Sequence, residues 1–112
     1  MTFLTVSERK RRSAERFAAA AEAVMADLSA YARAKGSPGR FIVFGSAASG
    51  SMRYDSDFDV IVDFPPGEEA AAYNAVEDAC GRHGLKADVL AGSLIDGSFI
   101  ERVMKAPVRI LP

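Results

Sequence analysis

The chain is poor in the residues that most often build cross-links and metal clusters. Its 112 residues include one cysteine, Cys80, one histidine, His83, and no tryptophan. A lone cysteine excludes an internal disulfide framework and a thiolate zinc cluster, and it suits a reducing compartment. On an Ala-rich segment, Cys80 reads as a small core residue. Charge of one sign is also lacking. The formal net charge is −1, so no global field draws the protein toward nucleic acid or a membrane. Long apolar runs are missing, which leaves no candidate for a transmembrane helix. Arg9-Lys-Arg-Arg12 ahead of Phe17-Ala-Ala-Ala-Ala21 imitates the basic and apolar parts of a signal peptide, but Glu15, Glu22 and Asp27 interrupt it. A cytoplasmic protein is the expectation.

What is present is an ordinary globular composition, 49% hydrophobic and 26% charged, with enough chain for one domain and one core. The expectation is a single domain over 1–112, with an N-terminal helix over about 7–35 and a catalytic core over about 40–112. Ser7 reads as the helix N-cap. Phe17, Val24, Leu28 and Tyr31, with Ala20 and Ala21, form a stripe at helical spacing. Gly36 and Pro38 end the helix. The basic run Arg9–Arg12 reads as a solvated helix face, because no aromatic residues interleave with it to stack bases.

Arg40–Phe44 is apolar, β-branched and aromatic, and reads as a buried strand. Ser56–Phe64 reads as a second. Alternation puts Phe58, Val60 and Val62 on one face, and Asp57, Asp59, Ile61 and Asp63 on the other. Pro65-Pro66-Gly67 closes it. A helix over 68–80 follows, with a buried stripe of Tyr73, Val76 and Cys80. A third strand over 86–90 carries Asp88. A final helix over 94–105 and a short strand over 108–111 complete the pattern.

The chemistry concentrates at one place. Asp57 and Asp59 project from the same strand face, with Cα atoms roughly 6.6 Å apart. Two such carboxylates repel unless a proton or cation compensates, and Mg²⁺ is the hard, oxygen-seeking ion that keeps positions open for phosphate. Aspartate is a poor strand former, so its presence at both positions argues for function. Gly45-Ser46, directly after the first strand, suits close backbone approach to a phosphate, with the Ser46 hydroxyl as a further donor. The turn meets the aspartates only if the first two strands are antiparallel. Asp88 joins them only if the third strand runs parallel to the second, which requires a crossover such as the helix over 68–80. Arg53 and Tyr54 read either as loop filler or, for Arg53, as a phosphate contact. Asp55 belongs to the turn, Asp63 lies too far along the strand to share a metal, and His83 reads as a surface or structural residue.

Gly45-Ser46, ten intervening residues, then Asp57-Phe58-Asp59, with Asp88 opening a later strand, resembles the signature of the DNA polymerase β-like nucleotidyltransferase superfamily. The short chain is similar to its minimal nucleotidyltransferase (MNT) group, antitoxins paired with HEPN-domain toxins. The resemblance spans Arg40 to Leu111. It implies an α/β (α+β) nucleotidyltransferase fold, a small mixed sheet flanked by helices. It also implies that Asp57, Asp59 and Asp88 ligate two Mg²⁺ ions and that Gly45 and Ser46 hold the triphosphate of ATP. The implied reaction transfers AMP to a hydroxyl, a tyrosine of a partner HEPN toxin. The expected partners are that toxin and a nucleoside triphosphate, with no membrane, no direct nucleic-acid signal, and a homo- or hetero-oligomer in view. Many minimal members carry arginine where this chain has Ser49. Two rival expectations are a catalytically weak binding module that neutralises its partner by occlusion, and a small-molecule nucleotidyltransferase.

Overall fold

Residues 4–112 are described by a computed structural model; residues 1–3 of the expected 1–112 domain lie outside it. The chain begins with the long helix α1, Val6–Lys35. Its start differs from the expected Ser7 cap. Thr5 is the N-cap: its hydroxyl accepts from the Glu8 N–H at 3.0 Å, and Glu8 Oε2 accepts from the Thr5 N–H at 3.3 Å. This reciprocal box satisfies two end donors at once, which a lone Ser7 hydroxyl would not. At the other end Gly36 adopts φ 63° and donates to the Ala32 carbonyl, closing the helix as expected.

After α1 come β1 (Arg40–Phe44), the short helix α2 (Gly45–Ser49), β2 (Asp57–Asp63), α3 (Glu69–Arg82), β3 (Lys86–Ala91), a 3-10 turn (Gly92–Leu94), α4 (Gly97–Met104) and β4 (Arg109–Leu111). The four strands form one mixed sheet in the order β3-β2-β1-β4. β1 is antiparallel to β2, with Phe44 opposite Asp59, and β4 is antiparallel to β1. β2 and β3 are parallel, with Asp59 opposite Asp88, and α3 is their crossover. The expected fold class and strand directions are therefore present.

The first face of the sheet carries the core. Phe41, Val43, Phe58, Val60 and Val62 are completely buried against Ala21, Val24, Met25 and Leu28 of α1 and Ala72, Val76, Ala79 and Cys80 of α3. Each large side chain so buried contributes about 1.5–3 kcal/mol. Tyr31, Phe41 and Phe64 close one end with ring centroids 4.8–6.2 Å apart. Cys80 is a buried free thiol, pushed up to about 11 by burial and then by the nearby Glu77 charge.

Three expectations shift here. The α3 stripe uses Ala72, and Tyr73 is exposed, because only small residues let α3 sit close to the strands. The expected helix over 94–105 divides into the 3-10 turn and α4. Asp96 accepts from the Phe99 N–H at 3.0 Å and restarts the helix after an extended Ile95. The other boundaries move by one or two residues.

The second face bears Asp57, Asp59, Ile61 and Asp63 of β2, as parity requires, and the register adds Ile42, Asp88 and Leu90. Its cover is lighter. Ile42 and Ile61 are fully buried, and Phe99 of α4 meets Phe44 edge-on at 6.5 Å. At the far end Asp63 pairs with Arg40 at 2.9 Å, which gives it a structural partner. The radius of gyration, 15.2 Å, exceeds the ~13 Å usual for this length. The excess reflects α1: its buried residues begin at Ala21, so its N-terminal part overhangs the sheet.

Candidate functional site

The site is built where β1 ends and β2 begins. Antiparallel pairing sets Phe44, the last residue of β1, opposite Asp59. The chain then turns at Gly45, with φ +66°, into α2. Glycine is required there for two reasons. The left-handed backbone disfavours any side chain, and a Cβ would collide with Asp59 Oδ2. The turn is thus pressed against the carboxylate. Phe44, the N-cap of α2, has no side-chain acceptor, so no side-chain capping bond satisfies the first N–H groups of α2.

Asp59 also faces two other carboxylates. Asp57 lies two residues back on the same strand, and Asp88 lies opposite on β3, a strand spacing of about 4.8 Å away. Asp57 and Asp88 are exposed; Asp59 is half-buried. Burial foremost, then the Asp88 and Asp57 charges and a hydrogen bond with Asp88, push Asp59 up to about 6. All three expected aspartates therefore lie on one sheet edge, beside the Gly45-Ser46 turn.

Among the described residues, no three His, Cys, Asp or Glu side chains are already gathered as a closed metal cluster. The aspartates instead form two pairs that share Asp59. Their chemistry fits a hard divalent cation: oxygen donors, crowded negative charge, and a central acid whose proton affinity is raised by burial and then by its like-charged neighbours.

Ser46, the second expected phosphate residue, donates its hydroxyl to Met52 Sδ at 3.1 Å. Thioether sulfur is a weak acceptor, so this hydroxyl is readily turned to a better one. Met52 itself is fully buried and anchors the connection after α2 in the core. Its place was not legible, because a methionine in a Gly/Ser loop carries no periodic signal. Ser49 bonds Ser51 Oγ at 2.7 Å and the Ser46 carbonyl at 3.4 Å, so a small hydroxyl network tightens the loop after α2. Arg53 lies in a cleft with Lys10 and Arg11.

His83 has a structural partner, as expected. His83 Nε2 and Arg82 both meet Asp27 Oδ2, at 2.9 Å and 3.1 Å, tying the end of α3 to α1. Those bonds, His83 first, hold the Asp27 carboxyl below its ordinary range. No helix among the described residues is long and apolar enough to cross a membrane.

No curated protein matches the chain. Residues 26–109 match the nucleotidyltransferase domain family. That span covers three quarters of the sequence and includes the turn and all three aspartates, and the chain belongs to the nucleotidyltransferase domain family.

Proposed function

We propose that the chain transfers a nucleoside monophosphate, AMP from ATP, to a hydroxyl on a partner protein, a tyrosine of a HEPN-type toxin, and so acts as an antitoxin. One observation carries the site assignment: Asp57, Asp59 and Asp88 converge on a single sheet edge against the Gly45 turn. The protein acceptor rests on the resemblance to minimal nucleotidyltransferases.

In this reading Asp57, Asp59 and Asp88 hold Mg²⁺. Bound there, the ion supplies charge neutralisation for the attacking and leaving oxygens of an in-line displacement. The protein's own contribution is positioning. Gly45 brings its backbone close to the triphosphate, and Ser46 exchanges its bond to Met52 for one to a phosphate oxygen. Asp59 sets the distance between turn and carboxylates, because nothing larger than glycine fits beside it. The acceptor oxygen forms a bond to the α-phosphorus, the α–β phosphoanhydride bond breaks, and pyrophosphate leaves. Asp88, exposed at the rim, takes the hydroxyl proton.

Incubation with α-labelled ATP, Mg²⁺ and the product of the adjacent gene tests this directly. Label is expected on the partner, and Asp59→Asn abolishes it. Neutralisation of the partner by a folded, label-free Asp59→Asn protein would replace transfer with occlusion. The Ser49 hydroxyl network, in place of a cation, is the feature that favours that second reading.

A further inference from the structure

The basic run on α1 is separated from Arg53 and Tyr54 by some forty residues of sequence, and the fold brings them together. Lys10, Arg11, Ser13 and Ala14 from the overhanging part of α1, with Arg53, Tyr54 and Asp55 from the turn before β2, line an open cleft of about 520 Å³. Three cations face one carboxylate there. Lys10 and Arg53 make no ion pair among the described residues, and Arg11 reaches Glu15 only at 4.0 Å with both side chains 70% exposed. Tyr54 is 77% exposed, an unusual position for a ring with no aromatic or hydrogen-bond partner among the described residues. Two hydrogen bonds tie the turn that presents it: Arg53 N–H donates to Ser56 Oγ at 2.9 Å, and Ser56 N–H to the Arg53 carbonyl at 3.0 Å. Lys10 and Arg11 lie upstream of residues 26–109, so the cleft joins a segment outside the family match to the threshold of the aspartate edge.

We propose that this cleft binds one or two nucleotides of a single-stranded nucleic acid. The cations meet phosphates and Tyr54 stacks a base, the combination that single-strand binding uses. The volume suits a ligand of that size. A lone phosphate on an exposed cluster would be heavily screened by salt, whereas a strand engages several cations at once. An acidic peptide would use the cations but has no need of the ring. Asp55 is two residues from Asp57, at most about 7 Å of chain, so a strand in the cleft lies beside the aspartate edge. The binding does not depend on nucleotidyl transfer.

The test is fluorescence anisotropy with a labelled single-stranded octanucleotide in EDTA, which removes metal from the aspartate edge and separates this site from the proposed function. Saturable binding is expected, with log K against log salt falling at a slope of about −2 for three cation contacts. Lys10→Ala with Arg53→Ala weakens binding at least tenfold at low salt and flattens the slope. Tyr54→Ala weakens it about fivefold or more, Tyr54→Phe keeps it, and every variant retains the wild-type melting temperature. Absence of saturable binding, or binding indifferent to these substitutions, overturns the proposal. So does AMP or inorganic phosphate binding as tightly as the octanucleotide, which would make the cleft a mononucleotide or simple anion site. Displacement of the strand by polyglutamate together with a neutral Tyr54→Ala overturns it in favour of an acidic protein ligand.

Discussion

The carboxylate edge and the basic cleft meet at one turn, residues 53–57, yet they are built by opposite means. The edge is written into the sheet: Asp57, Asp59 and Asp88 occupy ladder positions whose facing is set by strand parity and register. The cleft is an encounter between two surfaces, α1 and the turn, neither of which buries the other. Charges held by a ladder cannot move apart, so burial first and then the Asp88 and Asp57 charges raise Asp59. Cations on an exposed helix and turn relax into solvent and store little. A site that strains its own residues suits a cation and chemistry; a relaxed, exposed one suits reversible binding.

The sharpest way to break this contrast is to remove the centre of the edge. If the proposed transfer is right, Asp59→Ala reduces it by about 1,000-fold or more, the size of effect that losing a central catalytic group has, while Arg53→Ala leaves the fold and Mg²⁺ titration of the edge unchanged. A labelled-transfer assay beside Mg²⁺ titration reads both. Equal losses would mean that the two regions are one site.

Gly45→Ala comes next. The left-handed backbone costs of order 1–2 kcal/mol, and the new Cβ strikes Asp59. Denaturant unfolding should show at least that destabilisation, with transfer reduced as well. An unchanged midpoint would mean that the turn does not press on the carboxylate.

The raised Asp59 has a pH signature. Asp59 titrates at about 6 in the fold and near 3.9 in an unfolded chain. An acid with a raised pKa favours the folded state fully below the unfolded value and loses that advantage as pH rises through the folded one. Metal-free wild type should therefore lose melting temperature between about pH 4 and 6 relative to Asp59→Asn. Mg²⁺ should restore the wild type above that window and not the variant. Asp27 behaves in the reverse sense. Its carboxyl is held low by His83 and Arg82, so its contribution is present above the unfolded value and disappears as pH falls below about 4. Asp27→Asn should be slightly less stable than wild type at pH 7 and equal to it in acid.

The smallest effect is expected in the cleft. Tyr54→Ala and Lys10→Ala should stay within about 0.5 kcal/mol of wild type by urea unfolding, as exposed substitutions do. A larger loss would show that the cleft is structural packing.

The edge was legible from sequence because its elements are local and periodic. The alternation of Asp57 and Asp59 with Phe58, Val60 and Val62 allowed one facing only, and the helix between β2 and β3 required a parallel crossover. The first missed features are those decided by a neighbour. Thr5 displaced Ser7 because Glu8 completes its box. Ala72 displaced Tyr73 because α3 lies close to the sheet, and apolar character alone does not say which side of a helix meets it. Met52 was missed because burial within a loop depends on what lies beneath the loop.

The sequence by itself determined the carboxylate pair, the glycine turn, the mixed sheet and the kinship they carry, since each follows from spacing along a chain whose strand and helix periods are set by backbone sterics. The tertiary structure alone decided that Asp59 fills the space a side chain at Gly45 would need, and that Tyr54 stands among cations from a helix more than forty residues upstream. Those are distances between segments, and they exist only after the core has chosen how α1, α3 and the sheet pack together.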